Sequence, residues 1–314
     1  MSDRGFATQF VISIFQFPFS NCRHAAAVFK ARLTAIDPAR NAKKLMRPMP
    51  SSTLSSPASE DYLQRFGGVA RLYGAAGLER LRQARVCVIG VGGVGSWVVE
   101  ALARSGLGAL DMIDIDDVCV TNVNRQLPAL EGAIGRPKVD VLAERVAAIH
   151  PGCRVGAIPE FFTASNAARL LETRYDFVID AVDKLSHKCL IINTARDRGY
   201  PALTVGGAGG KRDGTAVRVC DLADSIQDEL LKQVRRKLRR ENGFPAGVGA
   251  HFGIPCVYSP EKPVFPWADG RVCPAPEPES NLKLDCASGF GTASFVTGAF
   301  GLAAAGEVVR RIAG

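Results

Sequence analysis

ARVCVIGVGGVGSWVVEALA, residues 84–103, decides the fold. An apolar run ends at Gly90 and gives way to Gly92, Gly93 and Gly95 before an apolar helical pattern begins at residue 96. A strand that ends in such a turn lets backbone N–H groups approach a phosphate, and the helix beyond it aims the positive end of its dipole at the same anion. DMIDID, residues 111–116, reads as a second buried strand, and Asp114, 24 residues after Gly90, stands where a carboxylate accepts hydrogen bonds from a ribose. These segments make one half of a Rossmann-type nucleotide-binding sheet. NAD and ATP both carry a ribose and phosphates, so the turn leaves the nucleotide open.

Strand-like runs continue outward as RVGAIP (154–159), YDFVIDAV (175–182) and YPALTVGG (200–207), separated by helical patterns over 96–105, 137–149, 163–173 and 186–198. Such alternation predicts an α/β, Rossmann-like fold, a mostly parallel sheet with helices on both faces and its ligand at the carboxyl edge. After residue 215 the order changes to a charged helix, a loop with seven prolines from Pro255 to Pro278, and a stretch without charge from Ala287 to Gly306. The last is rich in Gly, Ser and Thr, which predicts a buried packing helix and not a membrane span. A C-terminal helical and irregular extension is therefore expected.

At 47% hydrophobic and 22% charged, the 314 residues describe a soluble globular chain. The net charge of +8 is misleading, because residues 1–59 carry eight Lys/Arg against Asp3 and Asp37, leaving only +2 for the rest. Bulk charge therefore excludes nothing and supports nothing about nucleic acid. The segment ends in PMPSSTLSSPAS, and its composition predicts a disordered basic extension, 1–59, before a nucleotide-binding domain over 60–314, with 215–290 as its substrate-facing subregion. Its apolar run 10–19 lacks the flanks of a signal peptide, and Met46 or Met49 is the expected start. Nine scattered cysteines without a CxxC pair predict reduced thiols, a cytoplasmic protein and no zinc ribbon.

The segments beyond Asp114 bear on the nucleotide. None of the four histidines (24, 150, 187, 251) is placed as the acid of a hydride-transfer enzyme. NVNRQ (122–126), GRPKV (135–139) and DAVDK (180–184) offer instead Arg125 and Lys138, cations able to converge on a triphosphate, and Asp183, just past a buried strand, suited to Mg²⁺. Taken singly, Arg125 and Lys138 read equally as surface charges and Asp183 as a helix N-cap.

In that order and spacing, GVGGVG, IDIDDV, NVNRQ, GRPK and DAVD resemble the adenylation domain of the ubiquitin-activating-enzyme superfamily, whose bacterial ThiF/MoeB-type members activate a carboxylate with ATP. QRFGGVARLYG, DDVCVTN, TVGGAGG and DCASGFGTASFVTGAFG resemble its tRNA threonylcarbamoyladenosine dehydratase subfamily. The resemblance implies that Gly90, Gly92, Gly93 and Gly95 line ATP and Asp114 holds its ribose. It turns Asn122, Arg125, Gln126 and Lys138 toward the triphosphate and gives Asp183 the Mg²⁺. It further implies a homodimer in which an arginine from the second subunit, Arg65 or less favourably Arg71, completes the site, with tRNA as substrate and a cysteine desulfurase or sulfur-acceptor system as a possible partner. The implied reaction is ATP-dependent dehydration of threonylcarbamoyladenosine beside the anticodon, by a ligase/cyclase. An adenylating enzyme for a ubiquitin-like sulfur carrier is the alternative, disfavoured by the missing CxxC pairs, and an NAD-dependent oxidoreductase is the second.

One element suggests how RNA is held. SIQDELLKQVRRKLRREN, residues 225–242, reads as a helix capped by Ser225 with an apolar stripe of Leu230 or Leu231, Val234 and Leu238. Lys232, Arg235, Arg236, Arg239 and Arg240 then form an exposed basic face for tRNA phosphates.

Overall fold

The computed structural model describes residues 58–247, 249–278 and 290–314. The expectations for the N-terminal extension and its start site fall outside the described residues.

The sheet grows from β1 (Arg85–Ile89), which pairs in parallel with β2 (Ala109–Ile113) on one side and β4 (Phe177–Asp180) on the other. β3 (Arg154–Ile158), β5 (Ala202–Val205), β6 (Arg218–Asp221) and β7 (Pro255–Tyr258) complete seven strands in the order β3-β2-β1-β4-β5-β7-β6. Only β6 runs antiparallel, at the edge against β7. The central strands read as unbroken apolar runs because both faces are covered. Along β1, Val86 and Val88 enter one core with Val98, Leu102, Phe300 and Val308, whereas Cys87 and Ile89 enter another with Val178, Ile191 and Leu171.

Strand order reverses between β1 and β4, which opens a crevice at their carboxyl ends. The helices that frame it are α1 (Glu60–Gln83), α2 (Gly95–Arg104), α3 (Lys138–Ile149), the single turn α4 (Ala167–Leu170), α5 (Leu185–Asp197), α6 (Glu229–Glu241) and α7 (Ser294–Ala313). A two-stranded ribbon, β8 (Phe265–Pro266) with β9 (Val272–Cys273), lies in the proline-rich segment.

α7 is the packing helix expected of the uncharged stretch. Its small residues let it lie close on α2: a Cβ added to Gly301 would come 2.6 Å from the Cβ of Trp97. Among the described residues no helix is long and apolar enough to cross a membrane.

Two local expectations are corrected. α4 occupies Ala167–Leu170, not 163–173, because the Asn166 amide accepts the Thr163 N–H at 2.8 Å and donates to the Phe161 carbonyl at 2.8 Å, a side-chain turn that displaces the first helical turn. α6 is capped by Asp228, whose carboxylate accepts the Leu231 N–H at 2.9 Å, and not by Ser225. Gln227, at φ 58°, breaks the helix between them.

Candidate active site

The glycine turn is shaped by contacts at both ends. Gly90, at φ 85°, donates its N–H to the Ile113 carbonyl at 2.9 Å, and a Cβ on Gly95 would fall 1.8 Å from the Gly90 carbonyl oxygen. No side chain fits there. Beyond the turn, the N–H groups of Gly92, Gly93 and Val94 donate to no backbone carbonyl among the described residues, and the first turn of α2 holds no acidic residue. These are the free donors that an anion takes at a helix N-terminus.

Asp114 leaves β2 beside this turn and accepts backbone N–H groups with both oxygens, from Val91 at 2.8 Å and Asp116 at 2.9 Å. Burial pushes its carboxyl above the usual carboxylate range, opposed by the Lys138 ammonium and by those two hydrogen bonds. Lys138, the first residue of α3, is 4% exposed and donates to Asp116 at 2.8 Å, so it is no surface charge.

Asn122, Arg125 and Gln126 come from the loop after β2. Asn122 accepts the Cys119 N–H at 3.0 Å through Oδ1, which spends that oxygen on shaping the loop and leaves the amide nitrogen. Gln126 is buried, and its Oε1 has no hydrogen-bond partner; its Nε2 lies 3.7 Å from where a Cβ on Gly92 would stand. An orphaned buried polar atom is costly, and one on a residue beside the glycine turn fits a bound polar ligand. Arg125 runs over Gly93, with its Cγ 3.6 Å from the position of a Cβ there. Its guanidinium donates to the Thr121 carbonyl at 2.9 Å and to Asn124 at 3.0 Å, with no carboxylate paired to it among the described residues. Its own carbonyl accepts from Trp97 of α2 at 3.1 Å and Thr297 of α7 at 3.3 Å.

Asp183 approaches from the far side of the switch point. It is exposed, has no hydrogen bond or ion pair among the described residues, and does not cap α5, whose N-cap position is Lys184 without a side-chain bond. A carboxylate without a protein partner is what Mg²⁺ takes when phosphates and water supply its remaining ligands. The sequence reading missed the support beneath it: Asp180 and Lys188, both 0% exposed, joined at 3.0 Å, with Thr204 donating to Asp180 at 2.6 Å. A lysine on the apolar face of α5 was the available signal.

Other candidates lie elsewhere. Arg65 is exposed on α1, paired with Asp61 at 2.7 Å and near the Ile149 carbonyl, at the opposite end of α3 from Lys138. The eleven residue steps from Lys138 to Ile149 along α3 span about 16 Å, so Arg65 cannot reach the site of its own chain. Arg71 is exposed further along α1. On α6, Leu231, Val234 and Leu238 form the buried stripe, but the basic residues are not uniformly free. Arg235 turns inward onto Ser225, and burial lowers its guanidinium pKa. Arg239 stacks over Phe252 at 5.1 Å and donates to the Pro245 carbonyl at 3.2 Å. Lys232 pairs with Glu229 at 2.9 Å, Arg240 with Glu241, and Arg236 is exposed. The expected face thus narrows to Lys232, Arg236 and Arg240, because Arg235 and Arg239 are held by packing.

A mostly parallel sheet, a glycine turn of free N–H groups, an arginine running over that turn and an unpartnered carboxylate after β4 make a site suited to a nucleotide. The chain belongs to the ThiF family, whose model matches residues 67–314. Within it the chain falls among the tRNA threonylcarbamoyladenosine dehydratases. It is 44% identical to that enzyme of Escherichia coli over 255 residues, 81% of this chain and 95% of the relative, and 45% identical to that of Haemophilus influenzae over 253 residues, again 81% and 95%. A crystal structure of the E. coli enzyme in complex with ATP superposes with a TM-score of 0.73 at 40% identity, covering 82% of this chain and 97% of the other. The sulfur carrier protein adenylyltransferase of Thermus thermophilus matches only 41% of this chain and 47% of its own length, at 37% identity.

Proposed function

We propose that this chain uses ATP to remove one water from threonylcarbamoyladenosine in tRNA, next to the anticodon. The observation that carries the reading is the glycine turn after β1, whose N–H groups are free, with Arg125 running over Gly93 and Gln126 beside Gly92. The E. coli relative crystallised with ATP supports the choice of nucleotide.

A carboxylate resists attack because its charge repels nucleophiles and oxide leaves poorly; transfer of AMP to it cures both faults. The neighbouring urea of the same modified base then closes a five-membered ring and expels AMP. Closure is intramolecular, so the protein supplies position and charge and no nucleophile of its own. Asp114 orients the ribose, the N–H groups of Gly92, Gly93 and Val94 receive phosphate oxygens, and the orphaned Gln126 carbonyl gains a partner. Arg125 and Lys138 offset the charge that develops as pyrophosphate departs. Lys138 exchanges Asp116 for a phosphate. Asp183 would hold Mg²⁺, which supplies further neutralisation of the triphosphate.

Residues 60–314 act as the adenylation domain, with 215–290 facing the tRNA and Lys232, Arg236 and Arg240 of α6 on its phosphates. The enzyme works as a homodimer in the cytoplasm, and Arg65 reaches the site of the other copy; a cysteine desulfurase is a candidate partner. The direct test is mass spectrometry of nucleosides after incubating the protein with ATP, Mg²⁺ and modified tRNA. Loss of one water from the modified adenosine is expected. ATP turnover that depends on a small carrier protein and leaves the tRNA unchanged would overturn the proposal.

A further inference from the structure

We propose that Lys188, a residue with no surface and no reach into the crevice, positions the adenylation site by fixing the turn that carries Asp183. The proposal deepens the functional reading and rests on Asp183 facing the metal and phosphates.

Three polar groups of the turn after β4 are tied from beneath. The Ala181 N–H donates to the Ile89 carbonyl at 2.9 Å, and the Val182 N–H to Asp180 Oδ1 at 3.2 Å. Lys188 Nζ donates to the Val182 carbonyl at 2.8 Å while paired with Asp180 Oδ2 at 3.0 Å. Asp180 is itself held by Thr204 Oγ1 of β5 at 2.6 Å. Lys188 therefore spans the turn and joins its exit to the strand it left. The same turn abuts the glycine loop: a Cβ on Gly90 would lie 2.9 Å from Val182 Cγ1 and 3.0 Å from the Ala181 carbonyl. One ammonium thus sets the spacing between the phosphate-binding turn and the carboxylate opposite it.

A buried ion pair is a poor source of stability, because desolvation of both charges offsets their attraction and an apolar pair of similar volume holds a fold equally well. An apolar pair cannot, however, bond the Val182 carbonyl. The position of Asp183, and not the stability of α5, is what Lys188 contributes.

The test is the double variant Asp180→Asn/Lys188→Met, which removes both charges together and leaves neither buried alone. Its thermal melt is compared with wild type, and ATP affinity is measured directly with and without Mg²⁺, alongside turnover. The expected result is a cooperative melt, nearly unchanged ATP affinity without Mg²⁺, loss of the increment in affinity that Mg²⁺ adds, and turnover reduced about 10²-fold. Asp183→Ala, run in parallel, separates the two readings. If Asp183→Ala loses the Mg²⁺ increment and the folded double variant keeps it, with turnover within about threefold of wild type, Lys188 has no positioning role although the functional reading stands. If wild type itself shows no Mg²⁺ increment and no turnover, the functional reading fails first. Should the double variant not fold, Asp180→Asn/Lys188→Leu decides: it too removes both charges and the bond to the Val182 carbonyl, and an unchanged Mg²⁺ increment with unchanged turnover would overturn the proposal.

Discussion

The carboxylate of Asp114 accepts the backbone N–H of Val91 at 2.8 Å, joining the end of β2 to the glycine turn that leaves β1. Its carboxyl is raised by burial. A raised acid is disfavoured as the ion in the fold, so its ionisation costs stability above the folded pKa, and that cost is relieved as pH falls through it. Nucleotide binding has the opposite sign, because the ribose needs the ionised acceptor. ATP affinity should fall on the acid side at a higher pH than an ordinary aspartate would give. Asp114→Asn should bind ATP more weakly and lose this acid limb, as read by direct binding across pH; an unchanged limb in the variant would assign it to another group.

Asp183 has no bond to lose, so Asp183→Ala should leave the melting temperature nearly unchanged, a surface effect within about 0.5 kcal/mol. Turnover should nevertheless drop by about 10²-fold or more, as should that of Arg125→Ala. Full activity of either folded variant would remove it from the site.

If Arg65 serves the other copy, Arg65→Ala and Asp183→Ala should each be inactive alone and recover activity when mixed and allowed to exchange subunits. Recovery arises because one mixed site has both residues. Sedimentation checks the dimer, and no recovery despite exchange would place the missing arginine elsewhere.

On α6 the two kinds of arginine should behave differently. Replacing Lys232, Arg236 and Arg240 with Gln should weaken tRNA binding and make its salt dependence shallower, by a slope of about 0.7–0.9 for each phosphate no longer neutralised. Arg235→Gln should lower the melting temperature, since its guanidinium is half-buried against Ser225. A chain lacking residues 1–59 is the control: if only that deletion alters the slope, the helix does not touch RNA.

If ring closure is intramolecular, no thioester on a cysteine is required. Cys256 is 0% exposed with its thiol pushed up by burial, whereas Cys119 is exposed and its thiol is lowered by a hydrogen bond from Thr121. Cys119→Ser and Cys256→Ser should both retain dehydratase activity apart from packing losses of about 1–3 kcal/mol at the buried site. Abolished activity in folded Cys119→Ser would indicate a covalent relay.

Local patterns carried the sheet. Unbroken apolar runs and the glycine turn are properties of neighbouring residues, so strands β1 to β5 and the nucleotide edge were legible. The site was legible as a set of residue types, but not as a geometry. That Arg125 lies over Gly93, or that Asp180, Lys188 and Thr204 form one network, depends on pairings between distant stretches of chain, such as Asp180 with Thr204 across two strands. α6 failed in detail for a related reason. Helical spacing shows which residues share a face, but Arg235 and Arg239 are long enough to fold back onto Ser225 and Phe252, which periodicity does not report.

The bonds from Trp97 and Thr297 to the Arg125 carbonyl have a consequence for the order of synthesis. Residues 85–205 contain the parallel strands β1 to β5 and can begin to fold while the rest of the chain is still being made. One of the bonds that hold the loop bearing Arg125 comes from Thr297 of α7, translated 172 residues later. Until the carboxyl-terminal helix docks, a growing chain on the ribosome lacks both that bond and the apolar cover that Phe300 and Val308 give to Val86 and Val88 of β1.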